Sequence, residues 1–292
     1  MPRRSSSAGS SVSTRPPKTE RFEIPIVTLL SDFGLEDGYV AGMKGVILSR
    51  CPRARIVDVT HQVPPFDIRS GSYVLKTVFD VFPPGTIHLA VVDPGVGTDR
   101  RALAVKLGCG RILIGPDNGL LSWVLAIRPD WESRSLENPE PWGAVLSRTF
   151  HGRDLFAPVA AHLACGFPFE LLGPACSPER APWIRPERRS QEVLGEVVHV
   201  DHFGNLITNI TREDLGGPQE LGHWGVAVPG ILTLPTLTGT YGDLSVGEAA
   251  AIVGSSGHIE IAVNQGSAAR ILSAATGTKV AAFRTGARGA GS

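Results

Sequence analysis

The sequence predicts an α/β N-terminal domain, a mostly parallel sheet with flanking helices, followed by a small all-β, barrel-like C-terminal domain. Three observations predict it. Apolar runs in the first half each end in polar, turn-prone sequence and alternate with stretches of helical periodicity, the pattern of βα units. A proline- and charge-rich stretch, Pro178 to Pro186, then interrupts the chain. Beyond it come short β runs separated by turns, with no convincing amphipathic helix between them. The boundaries that follow are a tail over 1–22, the α/β domain over 23–177, a linker over 178–192, the β domain over 193–283 and a tail over 284–292.

The first tail, rich in Ser, Arg and Pro, has no apolar core and does not read as a secretory signal. Its composition loosely resembles an organellar transit peptide, and disorder is the preferred reading. Ile26 to Leu30 is the first strand, ended by Ser31-Asp32-Phe33-Gly34. Helical periodicity runs from Tyr39 to Leu48 through Val40, Met43, Val46 and Ile47. The turn between them lacks GxGxxG, so dinucleotide binding has no support. Ala54 to Val59 is the second strand. Pro64-Pro65 then hold the loop extended and present Phe66 and Asp67. Ile68 to Phe82 reads as a helix.

Ile87 to Val92 is the central strand, and it stops at Asp93, where Pro94-Gly95 forces a turn that ends in Arg100-Arg101. Ligands of open α/β sheets bind outside the carboxyl ends of the strands, so Asp93 stands where chemistry is usually done. A carboxylate that caps the turn and pairs with an arginine fits the same residues, and both readings stay open. Arg111 to Gly115 is a further strand and Leu120 to Ile127 a helix. Phe150-His151-Gly152-Arg153-Asp154 precedes an apolar helix, Leu155 to Cys165, whose N-terminus disfavours a protonated His151. The β runs of the second domain are Gly195–Val200, Leu206–Ile210, Gly225–Val228, Ile231–Leu234, Ala250–Val253 and Ile259–Val263.

Lys+Arg and Asp+Glu balance at 28 each, which removes the electrostatic footprint of a nucleic-acid partner. No apolar stretch approaches the ~20 residues that cross a bilayer, so no membrane partner is expected. The four cysteines, Cys51, Cys109, Cys165 and Cys176, are scattered without zinc spacing, which predicts no metal site and fits a reducing cytoplasm. A small-molecule partner remains.

The segments SDFGLEDGYVAGMKG, IVDVTHQVPPFDIRSG, VVDPGVGTDRRA, PDNGLL, TFHGRD, VDHFGNLITNI and TYGD, in this order, resemble the S-adenosyl-L-methionine (SAM) hydrolases that form adenosine. These are also called SAM hydroxide adenosyltransferases, relatives of the fluorinase and chlorinase. The resemblance runs from about Ile26 to about Val280. It implies attack by water or hydroxide on ribose C5′, with methionine leaving, no cofactor, and adenosine and L-methionine as products. The family's Asp-Arg-His triad falls on Asp93, Arg100 and His151. The leaving group is a neutral thioether expelled from a sulfonium, so the enzyme has to supply a positioned nucleophile and in-line geometry rather than a general acid.

The resemblance also places Asp32 on the ribose hydroxyls, Asp201 on the methionine ammonium and Asn205 on the adenine edge. It puts Phe203 and Tyr241 around adenine, Phe66 against the sugar and Phe150 in the pocket; Asp37 is a weaker candidate for the amino-acid end. Each has a bland alternative: Asp32 as a helix cap, Asp201 as a turn brace, the aromatics as core. The halide-using relatives carry tyrosine where this chain has Asp93, and a carboxylate repels a halide, so water is expected as nucleophile. A chlorinase-like halogenase and a non-catalytic SAM or adenosine sensor are the competing readings. Family members form homotrimers with SAM between the N-terminal domain of one subunit and the C-terminal domain of the next, so the same assembly is expected here.

Overall fold

The structure is a computed structural model that describes residues 24–143 and 146–285. The predicted tail over 1–22 and most of that over 284–292 lie outside the described residues. The first half contains β1 (Ile26–Ser31), α1 (Tyr39–Arg50), β2 (Arg55–Thr60), α2 (Ile68–Phe79), β3 (Ile87–Val91), β4 (Ala102–Leu107), β5 (Ile112–Pro116), α3 (Ser122–Ile127) and β6 (Trp131–Ser135). A π-helical turn, Gly152–Phe156, then runs into α4 (Ala157–Ala164). One sheet has the order β2-β1-β3-β5-β4-β6. Its first four strands are parallel, and β4 runs antiparallel to both β5 and β6.

Strand β3, IHLAV, is buried at every position, as a central strand covered on both faces must be. Alternate residues feed two separate cores. Leu29, Leu89 and Ile114 pack with Met43 and Ile47 of α1 and with Phe156 and Val159. Leu30, Ala90 and Leu113 pack with Leu75 and Phe79 of α2 and with Val124 of α3.

Two strands of this sheet, β4 and β6, go beyond the sequence reading. β4 follows β3 too closely for a helical crossover, so it reverses and forms a hairpin with β5 through Gly110, at φ 81°. β6 reads WESRS and buries Ser133 and Ser135, so it offers no apolar alternation to detect.

The second half contains β7 (Glu187–Arg188), β8 (Glu192–Val200), β9 (Leu206–Thr211), β10 (Trp224–Val228), β11 (Leu232–Leu234), β12 (Ala249–Val253), β13 (His258–Val263), α5 (Ala268–Ile271) and β14 (Lys279–Arg284). They form an antiparallel sheet in the order β11-β10-β14-β8-β9-β13-β12, with β7 beside β8. Leu237 bridges Ala251, so the chain after β11 meets β12 and nearly closes the sheet. β14 was not among the expected strands, yet it joins β10 to β8.

Helix α2 is the seam between the two halves. Asp67 caps it by accepting from the Ser70 N–H at 3.0 Å and also accepts from the Thr276 hydroxyl at 2.8 Å. Ser70 bonds His199 Nδ1 at 2.6 Å, and the Tyr73 hydroxyl meets Ser256 Oγ at 2.8 Å. Lys76 Nζ reaches His258 Nε2 at 3.0 Å. Because His258 Nδ1 lies 2.8 Å from the Thr208 carbonyl, Nδ1 carries the hydrogen and Nε2 accepts from the ammonium. Burial, with Lys76 adding to it, pushes the His258 imidazole down to about 4.

Candidate active site

Asp93 lies two residues past the end of β3. The loop that follows returns Arg100 to it, because Gly97 takes φ 79° and a β-carbon there would lie 2.3 Å from the Arg148 carbonyl oxygen. Arg100 Nε lies 3.0 Å from both Asp93 oxygens and Nη2 lies 2.5 Å from Oδ2. The pair is nearly enclosed, with side-chain exposures of 10% for Arg100 and 4% for Asp93. Its guanidinium also sits over the Phe156 ring, 5.4 Å from the centroid.

His151 immediately precedes the π-helical turn, and its Nδ1 lies 2.7 Å from Arg100 Nη2. A guanidinium only donates, so Nδ1 presents its lone pair and the neutral imidazole carries its hydrogen on Nε2. Burial, and then the charge of Arg100, hold the His151 pKa below the ordinary 6.5. The three residues expected to act together are therefore one hydrogen-bonded chain with the arginine in the middle.

Asp93 and His151 line a cavity of about 370 Å³ with Phe33, Tyr39, Val91, Val96 and Phe150. Phe150 makes edge contacts with Tyr39, centroids 5.1 Å apart, and with Phe33 at 5.8 Å. Gly152 permits this, since a β-carbon would press on Phe33 and Phe150 at 3.1–3.2 Å. The wall contributed by Phe33 and Tyr39 escaped the sequence reading, which had taken Tyr39 only as the start of a helix.

Asp32, Asp37 and Phe66 lie outside the lining of this cavity. Asp32 does not cap α1, whose N-cap is Gly38. It instead accepts the Phe66 N–H at 2.8 Å. That bond holds Phe66 at φ 66°, a costly conformation for a side chain of this size, with the ring 70% exposed. Burial pushes the Asp32 carboxyl up, and Asp93 adds to the shift. Asp37 is exposed in the loop before α1. Asp58, His61, Asp67 and Asp117 have structural partners. Asp58 meets Lys44 and His61, His61 meets Ser31, and Asp117 meets Arg101.

Asp201, Phe203, Asn205 and Tyr241 all line a second cavity, of about 800 Å³, in the β domain. The Asp201 carboxylate braces its own turn: Oδ1 accepts the N–H groups of Phe203 and Asn205 at 2.9 and 2.8 Å, and Oδ2 accepts from Asn205 Nδ2 at 2.8 Å. This fixes the Asn205 amide with its carbonyl oxygen and one N–H still available. The Phe203 ring is 74% exposed, so it is not core. Tyr241 donates to Glu260 at 3.1 Å, and burial followed by the Glu260 charge pushes its phenol up to about 12. Among the described residues, none lines both cavities. Among the described residues, no group of three or more His, Cys, Asp or Glu stands together as a metal site, and no helix is long and apolar enough to cross a membrane.

Comparison with known proteins matches two family domains to the chain. Residues 27–173 match the SAM hydroxide adenosyltransferase N-terminal domain and residues 195–281 the C-terminal domain. The chain is 43% identical over 263 residues to the (R)-S-adenosyl-L-methionine hydrolase of Thermus thermophilus, covering 87% of this chain and 98% of that protein. It is 41% identical to the hydrolase of the same name from Salinispora tropica, covering 88% and 97%. A fluorinase of Nocardia brasiliensis is 33% identical, with 84% and 92% covered. The crystal structure of an uncharacterized conserved protein from Thermotoga maritima superposes with a TM-score of 0.80 at 39% identity, covering 88% of this chain and all of that one. With both halves matched in order and the fold shared with a solved structure, the chain belongs to the SAM hydroxide adenosyltransferase family.

Proposed function

We propose that the protein hydrolyses SAM to adenosine and L-methionine by in-line attack of a positioned water on ribose C5′. The observation that carries the reading is the guanidinium of Arg100, which bridges Asp93 and His151 at the wall of a cavity. With Nδ1 engaged by Arg100, His151 has an N–H at Nε2 to offer a water oxygen. Asp93 has the carboxylate to accept a water hydrogen. The imidazole therefore orients the water and Asp93 receives its proton as the O–C5′ bond forms. The C5′–S bond breaks with its electron pair going to sulfur, which leaves as neutral thioether. Arg100 holds Asp93 in place through its hydrogen bonds to both carboxylate oxygens. SAM is the substrate, and the scheme requires no cofactor.

Asp32 serves the ribose hydroxyls, Asn205 the adenine edge, Asp201 the ammonium, and Phe66, Phe150, Phe203 and Tyr241 the apolar faces of the nucleoside. Asp37 contributes at the amino-acid end. Phe150 lines one cavity and Asp201, Phe203, Asn205 and Tyr241 the other, with no lining shared among the described residues, which supports a complete site made from two subunits, as expected of a homotrimer. Four free cysteines accord with a reducing cytoplasm. Chromatography of protein incubated with SAM tests the reading: adenosine and methionine in equal amounts are expected, with or without added chloride. A chlorinated nucleoside appearing with chloride would move the assignment to a halogenase, and bound but intact SAM would move it to a sensor.

A further inference from the structure

The cavity of the β domain holds a second carboxylate. Glu260, on β13, lines it together with Asp201 and is only 8% exposed. Its Oε2 accepts from the Tyr241 hydroxyl. Its Oε1 occupies the space a side chain on residue 254 would fill, 1.6 Å from where a β-carbon would lie, so Gly254 is what leaves it room. Among the described residues Oε1 has no hydrogen-bond or ion-pair partner. A nearly buried carboxylate with a free oxygen facing a cavity is costly unless something cationic arrives. Burial already pushes the Glu260 carboxyl up, and Asp201 raises it further.

Asp201 cannot serve an ammonium alone. Three hydrogen bonds from its own turn occupy most of its acceptor capacity, whereas an ammonium brings three donors. Of the groups SAM offers, the sulfonium has no N–H, and the adenine amine is neutral and would leave the carboxylate charge unmatched. The α-ammonium has both charge and donors. Resting on the reading of SAM as substrate, we propose that Glu260 is a substrate-binding residue that receives the α-ammonium of the methionine moiety together with Asp201.

The test is calorimetric titration of L-methionine and of adenosine, separately, into the full-length protein and its Glu260→Gln variant. The methionine Kd should rise about tenfold or more, the scale of a charged hydrogen bond, while the adenosine Kd stays within about twofold. In turnover of SAM, KM should rise by a similar factor with kcat held. Retained adenosine binding doubles as the control for folding. If Glu260→Gln does not fold, Gly254→Ala, which displaces Oε1, should weaken methionine in the same selective way. Unchanged methionine affinity, or weakening of adenosine instead, overturns the assignment. A wild-type chain that leaves SAM intact overturns the substrate reading, while the methionine titration still decides the role of Glu260.

Discussion

Asp93 illustrates how one residue's two sequence readings merge. It does pair with an arginine at a turn, as the bland reading held, and the same ion pair reaches His151 at the cavity wall. Removing Asp93 would therefore act twice. Asp93→Ala should lower kcat by about 100-fold or more while SAM affinity changes far less, read by steady-state kinetics beside equilibrium binding. It also strands a nearly enclosed guanidinium at a cost of about 3–5 kcal/mol, visible as a lower melting temperature. Wild-type kcat in this variant would contradict the water-positioning role.

The pH profile should carry the mark of His151. Its folded-state pKa lies below 6.5, so the neutral ring persists under mildly acid conditions. kcat/KM should hold as pH falls through 6.5 and decline only below it; a decline centred above 6.5 would mean the ring is not held neutral. A strand end singled out Asp93 and a helix start His151, while their grouping with Arg100 came only through the family resemblance. Glu260 was not legible: within HIEIAV it reads as the solvent-facing position of an alternating strand, and only the structure turns it toward a cavity.

At the scale of elements, β3 was legible as an apolar run buried on both faces, whereas the missed strands escaped for different reasons. Edge strand β6 buries serines, and β4 turns back in a hairpin that a βα pattern does not anticipate. Helix α2 and strand β13 meet through Lys76 and His258, while His88 on β3 is enclosed with its Nδ1 on Thr28. Both His258 and His88 are held down to about 4, chiefly by burial. The unfolded chain protonates these rings near 6.5 and the folded chain only near 4, so the unfolded state binds more protons between these values. Stability from these groups is present above 6.5 and is lost as pH falls toward 4. The free energy of unfolding should thus fall over that window, by a few kcal/mol in all, and the denaturation midpoint with it. Replacing His258 with Gln should flatten the slope, and an unchanged slope would place the acid sensitivity elsewhere.

The whole molecule presents two cavities with no lining shared among the described residues. Composition and the order of motifs made the two halves and their family legible; the separation of the two cavities was anticipated only through the resemblance, because it depends on how the halves pack through α2. If a complete site takes its triad from one subunit and its adenine contacts from the next, two inactive variants should rescue each other. Mixing unfolded Asp93→Ala with unfolded Asn205→Ala and refolding them together should restore part of the activity, and light scattering should give the mass of a trimer. No rescue in verified mixed oligomers would place both half-sites within one chain.

Isotope-labelled water identifies the nucleophile at C5′. SAM turned over in H₂¹⁸O should give adenosine carrying the label at its 5′-hydroxyl, with unlabelled methionine beside it. Label in the amino-acid product, or adenosine free of label, would rule out attack by water at C5′.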